Sequence, residues 1–244
     1  MSEIKTDWIT LKVADGTSMR VYVARSDNPS PHPGLLVYQE AFGVNAHIRD
    51  VTERFAREGY LAVSPELFHR TAPGFEGTYD KFDMARAHVI ALTHQNLEAD
   101  VRAAYDWLRA EPASQGRPIA CVGFCVGGRV AFLTNAVLPV SAAISFYGGG
   151  IASNPFTPGL LNRSGELHAP QLVFWGGLDK HLGPEVARTV TDSLRSAGKP
   201  FVNVEFSDAD HGFFCDARSS YNPNASRQAW ALVRAFLNIY APSK

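Results

Sequence analysis

At positions 123 to 128 the chain reads Gly123-Phe124-Cys125-Val126-Gly127-Gly128, a cysteine framed by glycines two residues before and two after, directly behind the apolar run Ile119-Ala120-Cys121-Val122. A chain that must leave a buried strand and enter a helix on so sharp a turn has no room for a Cβ on the residues flanking the bend. The frame therefore predicts a strand ending before Cys125, a helix starting near Val126, and a thiol pushed up into a cleft between them.

The rest of the chain supplies neighbours for that strand. Trp8 to Val13 and Ser18 to Ala24 alternate apolar and polar residues around Ala14-Asp15-Gly16-Thr17, which predicts an antiparallel hairpin at a sheet edge. Runs at Gly34 to Tyr38, Leu61 to Pro65, Ile119 to Gly123, Ala142 to Tyr147, Gln171 to Trp175 and Val202 to Phe206 are short and almost continuously apolar, as strands buried on both faces are. Helical spacing lies between them: Ile48, Val51 and Phe55 up to Gly59; Val101, Ala104, Tyr105 and Leu108; Ala187, Val190 and Leu194 up to Gly198; and Ala229, Leu232, Phe236 and Ile239 after a Ser226 cap. This alternation predicts an α/β fold, a mostly parallel central sheet with helices on both faces and the amino-terminal antiparallel hairpin at its edge. The interval 65 to 119 holds more than one crossover helix needs, and the irregular stretch from Arg70 to Gly77 is expected to line or cover a cleft. The loop-rich stretch from Gly148 to Gly165 follows a strand end, so residues 1 to 244 are read as one domain.

With 23 basic against 24 acidic residues there is no charge excess to hold nucleic acid or an anionic membrane, and a small-molecule partner is expected. Met1 to Asp7 has neither the basic nor the apolar region of a signal peptide, and no later apolar stretch approaches a membrane span. The expectation is a cytoplasmic protein, a monomer by default. Three cysteines are an odd count without metal spacing, so neither disulfide nor metal is expected; Cys121 reads as a small buried hydrophobe and Cys215 as structural or a pocket wall.

A free thiol, with a pKa of about 8.5, is only slightly ionised at neutral pH and needs a base. In an α/β-hydrolase, the fold built around such an elbow, the acid follows a later strand and the histidine follows the last one. Here Gln171 to Trp175 opens into Gly176-Gly177-Leu178-Asp179-Lys180-His181, and Val202 to Phe206 opens into Ser207-Asp208-Ala209-Asp210-His211. Asp179 is assigned as the acid that orients the imidazole and His211 as the base. Asp208 and Asp210 compete for the acid role, but they share a loop with His211. Lys180 and His181 read as solvent-facing. The Val126 amide is expected to form half of an oxyanion hole and the Ala41 amide the other half. Glu40, a carboxylate at the end of a buried strand, must be paired or protonated, as a catalytic group or as the partner of an arginine. Phe42, Phe146, Tyr147 and Phe213 are candidates for the substrate pocket, with the core as the alternative.

Over nearly its whole length the chain resembles the dienelactone hydrolases, the carboxymethylenebutenolidases of chloroaromatic degradation. The likeness runs through Gln39-Glu40-Ala41-Phe42-Gly43-Val44-Asn45, Ala72-Pro73-Gly74, the cysteine elbow, Phe146-Tyr147-Gly148, Gly176-Gly177-Leu178-Asp179 and the His211 loop. The resemblance implies a triad of Cys125, His211 and Asp179, with Glu40 holding the resting thiol neutral and activating it when substrate arrives. It implies hydrolysis of an enol lactone such as dienelactone to maleylacetate through an acyl-enzyme on Cys125, without metal or organic cofactor. Members of the family grip the substrate carboxylate with two arginines, one of them four residues past the histidine. That place is Cys215 here, so Arg70, Arg86 or Arg218 would have to bring the charge from elsewhere. A broad carboxylesterase that has lost the carboxylate clamp is the rival enzyme. A non-catalytic member of the fold, binding a ligand or sensing oxidants through Cys125, is the rival outside catalysis.

Overall fold

The alternating amino-terminal stretch forms a hairpin of β1 (Ile4–Lys12) and β2 (Ser18–Ser26), paired from Lys12 opposite Ser18 to Ile4 opposite Ser26. Gly16 turns it with φ at +86°, a region glycine enters without steric cost. The computed structural model describes residues 3–28 and 31–243. Met1, Ser2, Pro29, Ser30 and Lys244, which belong to the span read as one domain, lie outside the described residues.

The apolar runs become β3 (Gly34–Tyr38), β4 (Leu61–Pro65), β5 (Ile119–Phe124), β6 (Ala143–Phe146), β7 (Gln171–Gly176) and β8 (Phe201–Phe206). Among the described residues they join the hairpin in one eight-stranded sheet of order β1-β2-β4-β3-β5-β6-β7-β8. Pairing is antiparallel from β1 to β2 and β2 to β4, and parallel from β4 through β8. Every residue of β3 to β7 is buried, but β8 is half-exposed. Its expected burial on both faces fails because it is an edge strand with β7 as its one neighbour.

Between the strands lie α1 (Ala46–Arg57), α2 (Phe82–Ile90), α3 (His94–Ala110), α4 (Val126–Val137) and α5 (Pro184–Ser196), and α6 (Pro223–Tyr240) follows β8. The long interval before β5 thus holds both α2 and α3. The cap of α6 is Asn222, whose side chain accepts the Asn224 and Ala225 amides ahead of Pro223, a residue suited to the first helical position. Ser226, expected as the cap, lies inside the helix and donates its hydroxyl to the Phe213 carbonyl at 2.8 Å. Residues of opposite parity along β5 look to opposite faces of the sheet. Cys121 points to the Ala131 carbonyl of α4 at 3.5 Å, and the Phe124 ring lies 6.4 Å from that of His47 on α1. Helix α1 packs on α6 through Phe55 and Trp230, ring centroids 4.7 Å apart. The carboxyl ends of β3, β5, β7 and β8 carry the loops that build the site.

Candidate active site

Cys125 sits at the step from β5 to α4 with φ +55° and ψ −118°, a backbone state that costs a non-glycine residue on the order of 1–3 kcal/mol. The bend is fixed on both sides: the Cys125 amide donates to the Phe146 carbonyl at 3.0 Å, and the Gly128 amide to the Cys125 carbonyl at 2.9 Å. A Cβ on Gly123 would collide with the Gly127 carbonyl. One on Gly127 would stand 2.5 Å from the carbonyl oxygens of both Tyr38 and Gln39. The glycine frame thus lets the start of α4 press against the end of β3, where the loop bearing Glu40 and Ala41 begins. The Val126 and Ala41 amides have no hydrogen-bond acceptor among the described residues.

The loop after β8 brings His211 to the thiol, and the loop after β7 brings Asp179 to His211. His211 Nδ1 lies 2.7 Å from Asp179 Oδ2, while Asp179 Oδ1 accepts the amides of His181 at 2.8 Å and Leu182 at 3.0 Å. Burial acts to raise the Asp179 carboxyl, but the hydrogen bond and charge of His211, with the two amides, hold it below the ordinary value. Burial likewise disfavours a charged His211; the charge of Cys125 and hydrogen bonds to Asp179 and Cys125 outweigh it and raise the imidazole to about 10. Asp210 instead accepts the His211 amide at 2.6 Å, and the Asp208 carbonyl accepts from the Asn222 side chain at 3.2 Å. Of the three carboxylates weighed, Asp179 is the one against the imidazole.

Glu40 is 1 % exposed. Its Oε1 accepts from Arg218 Nη1 at 3.1 Å, and its Oε2 has no partner among the described residues. The Arg218 guanidinium also lies 5.7 Å from the ring centres of both Phe42 and Tyr79. Tyr147, with φ +37°, places its ring 5.0 Å from that of His211, and its buried hydroxyl is likewise unpartnered. An open cavity of about 610 Å³ lies over this arrangement, walled by Tyr79, His181, Asp210, His211, Arg218 and Ser220 among others. Cys125 is partly exposed but is not among its walls.

Several expected pocket residues lie elsewhere. Both Arg70 terminal nitrogens bind the Asp100 carboxylate, at 2.8 and 2.7 Å, and its Nε binds Asp15 at 2.7 Å, so that guanidinium is consumed away from the cavity. Arg86 lies over the Phe156 ring at 5.2 Å. Phe146 and Phe213 are core: Phe146 stacks on Phe124 at 4.8 Å and on Phe174 at 4.4 Å, and Phe213 is fully buried. Phe42 is buried but faces Arg218 and Tyr79. His181 is exposed, in keeping with its reading as solvent-facing, and also stands 6.0 Å from His211 and walls the cavity. Tyr79 escaped notice because nothing in its local pattern marks it. Beside Glu40, His47 and the adjacent pair Cys215 and Asp216 bring ligand atoms within 4.8 Å of one another, although His47 is far from the pair in sequence.

Residues 19–241 match the model of the dienelactone hydrolase family. A protein of Synechocystis is 32% identical over 238 residues, covering 95% of this chain and 96% of its own length. One of Escherichia coli is 32% identical over 240 residues, covering 95% of this chain and 86% of its own. Both bear the name "Putative carboxymethylenebutenolidase". A crystal structure of a "Putative Dienelactone Hydrolase" from Klebsiella pneumoniae superposes with a TM-score of 0.88 at 29% identity, over 98% of this chain and 100% of the other. An acylaminoacyl peptidase of Pyrococcus horikoshii shares the fold at 15% identity and a TM-score of 0.76, over 99% of this chain and 42% of its own.

Proposed function

The chain belongs to the dienelactone hydrolase family and is a hydrolase of the α/β-hydrolase fold, and on that premise we propose that it opens a small lactone or ester through an acyl-enzyme on Cys125. The observation that carries this reading is His211, hydrogen-bonded to Asp179 and set beside the thiol of Cys125, whose charge helps raise the imidazole, at a strained elbow.

The thiol passes its proton to Glu40 and the sulfur attacks the substrate carbonyl carbon; a C–S bond forms and the carbonyl oxygen becomes an oxyanion held by the free amides of Val126 and Ala41. The tetrahedral species collapses, the ester C–O bond breaks and His211 protonates the departing oxygen. In a lactone that oxygen stays tethered to the acyl chain, and an enol released in this way rearranges to its ketone. Water then gives a proton to His211 and attacks the thioester, the C–S bond breaks, and Glu40 returns its proton to the departing sulfur, so that carboxylate and thiol are regenerated. Asp179 fixes the imidazole tautomer and supports its cation throughout.

Arg218 is the guanidinium walling the cavity beside His211, and Glu40 already occupies it. A substrate carboxylate that takes Arg218 releases Glu40, whose unpartnered oxygen is then available to take the thiol proton. An enol lactone bearing a carboxylate, of the dienelactone kind, fits this exchange. Since neither Arg70 nor Arg86 walls the cavity, anion preference rests, among the described arginines, on Arg218, and this single observation keeps a broad carboxylesterase as the second reading. Turnover of dienelactone and p-nitrophenyl acetate, with intact-mass detection of an acyl adduct, tests the proposal. Cys125→Ala removes both turnover and adduct, and equal rates in the variant would end it. Equal kcat/KM for anionic and neutral esters of similar size selects the esterase.

A further inference from the structure

We propose that His47, Cys215 and Asp216 bind one zinc ion, a site separate from the cysteine that attacks substrate. Imidazole nitrogen, thiolate sulfur and carboxylate oxygen are the donors that a borderline-soft divalent cation takes, and three protein ligands leave a fourth position for water. The three ligand atoms lie within 4.8 Å of one another, with the His47 Nδ1 to Asp216 Oδ1 separation 3.6 Å.

The imidazole is the second, independent observation. The His47 side chain is 2 % exposed, and neither of its ring nitrogens has a hydrogen-bond partner among the described residues. A buried neutral imidazole always carries one donor and one acceptor, and leaving both unused in the interior is unfavourable. The ring cannot turn to water, because Phe124 and Phe214 flank it, each with its centre 6.4 Å away. Its place in the first turn of α1 is fixed by the preceding cap, Asn45, whose side chain accepts the Ile48 amide. A cation shared with Cys215 and Asp216 gives one ring nitrogen the partner it lacks.

Burial and the charge of Glu40 push the Cys215 thiol up to about 11, and Tyr79 and Ala217, as donors beside the sulfur, act against them; the Tyr79 oxygen in turn accepts from the Asn45 side chain at 3.0 Å. Such outer donors orient a thiolate and offset its charge. Asp216 is half-exposed and supplies the way in from solvent. Around the imidazole the carboxylates of Glu40, Asp216 and Asp50 outnumber the guanidinium of Arg54. Arg54 is paired with Asp50 at 2.5 Å as well as with Asp216, and Arg218, beside the sulfur, is paired with Glu40. Binding requires the thiol form of Cys215 to lose its proton, so one proton leaves to solvent as the Zn–S bond forms and the imidazole enters neutral.

The test uses full-length protein carrying Cys125→Ser, which removes the partly exposed thiol, stripped of metal and loaded with Co²⁺ and then Zn²⁺. The expected result is one ion per chain, a sulfur-to-cobalt charge-transfer band with tetrahedral visible bands, and displacement of cobalt by zinc. Cys215→Ser should abolish the charge-transfer band. Asp216→Asn, at a half-exposed position that leaves folding intact, should weaken Zn²⁺ by at least about tenfold, and Tyr79→Phe by about tenfold through the outer donor. Circular dichroism confirms that each variant is folded. No uptake, or a charge-transfer band that survives Cys215→Ser, overturns the proposal, as does a Zn²⁺ affinity unchanged by Asp216→Asn.

Discussion

Glu40 and Asp100 are both buried carboxylates, and each is held by an arginine whose side chain is 17 % exposed. Asp100 receives both terminal nitrogens of Arg70, whose third nitrogen goes to Asp15, so every charged atom of that group has a partner. Glu40 receives a single nitrogen of Arg218, and its other oxygen has none. A bidentate pair locks two segments together. A half-satisfied one leaves a charge free to be redirected, which is costly in a scaffold and useful at a reaction centre. The Asp100 pair ties the segment after β4 to α3, and the Glu40 pair holds Arg218, a wall of the cavity.

The sharpest break between the two regions comes from the nucleophile. Cys125→Ala should lower kcat by about 10⁴-fold or more, the loss typical of removing a nucleophile that acts in concert with its base. Thermal unfolding should show no loss of stability, because alanine fills the same turn. Loss of folding together with activity would make the elbow structural.

Asp179→Asn comes next, with a fall of about 10³- to 10⁴-fold expected from loss of the orienting carboxylate. The pH profile sharpens the assignment. His211 is raised to about 10, so the alkaline limb of kcat/KM in wild type should fall there, and it should move down in Asp179→Asn, where one cause of the rise is gone. The stability contributed by the raised imidazole is complete below its ordinary 6.5 and is lost as pH climbs through about 10. The contribution of Asp179, whose carboxyl is lowered, is complete above its ordinary 3.8 and is lost as pH falls through the lowered value. An alkaline limb that does not move in Asp179→Asn would separate this carboxylate from the imidazole it touches.

Asp100→Asn tests the other region. Burial holds the Asp100 carboxyl above its ordinary range despite Arg70, and removing one member of a buried pair costs about 3–5 kcal/mol. Arg70 keeps Asp15, so the lower end applies, a melting-temperature drop of about 6–12 °C for a chain of this size. The kcat/KM of the folded variant should match wild type. A selective loss of rate would show that the two regions are not separate.

The same contrast explains what the sequence disclosed. The elbow and the placing of Asp179 and His211 together beside it were legible because each follows an apolar run that fixes a strand end, and because glycines at 123 and 127 have a steric reason to be there. The strands were legible for the same reason, to within one or two residues for β3 to β8. What escaped depends on long-range pairing: Arg70 has the charge of a substrate anchor and is spent on Asp100, while Arg218, seven residues past His211, does face the cavity. Local pattern cannot say which arginine finds a carboxylate first. Phe146 and Phe213 read equally as pocket or core, since an apolar ring beside a strand end suits either. Tertiary packing decides for the core.

Glu40→Gln gives the smallest expected effect and the finest discrimination. Glutamine keeps the shape and a carbonyl acceptor for Arg218, so only a charge-assisted hydrogen bond weakens to a neutral one, about 1 kcal/mol of stability. If Glu40 only holds Arg218 in place, kcat should be unchanged and the KM for an anionic ester should fall, because the guanidinium no longer has a competing carboxylate. If Glu40 takes the thiol proton once substrate displaces it, kcat should also fall, by about tenfold to a hundredfold, as general-base contributions do at their lower end. The neutral ester is the control that ties the effect to the exchange. It does not compete for Arg218 and so never releases Glu40, and its kcat should respond less to the substitution than that of the anion.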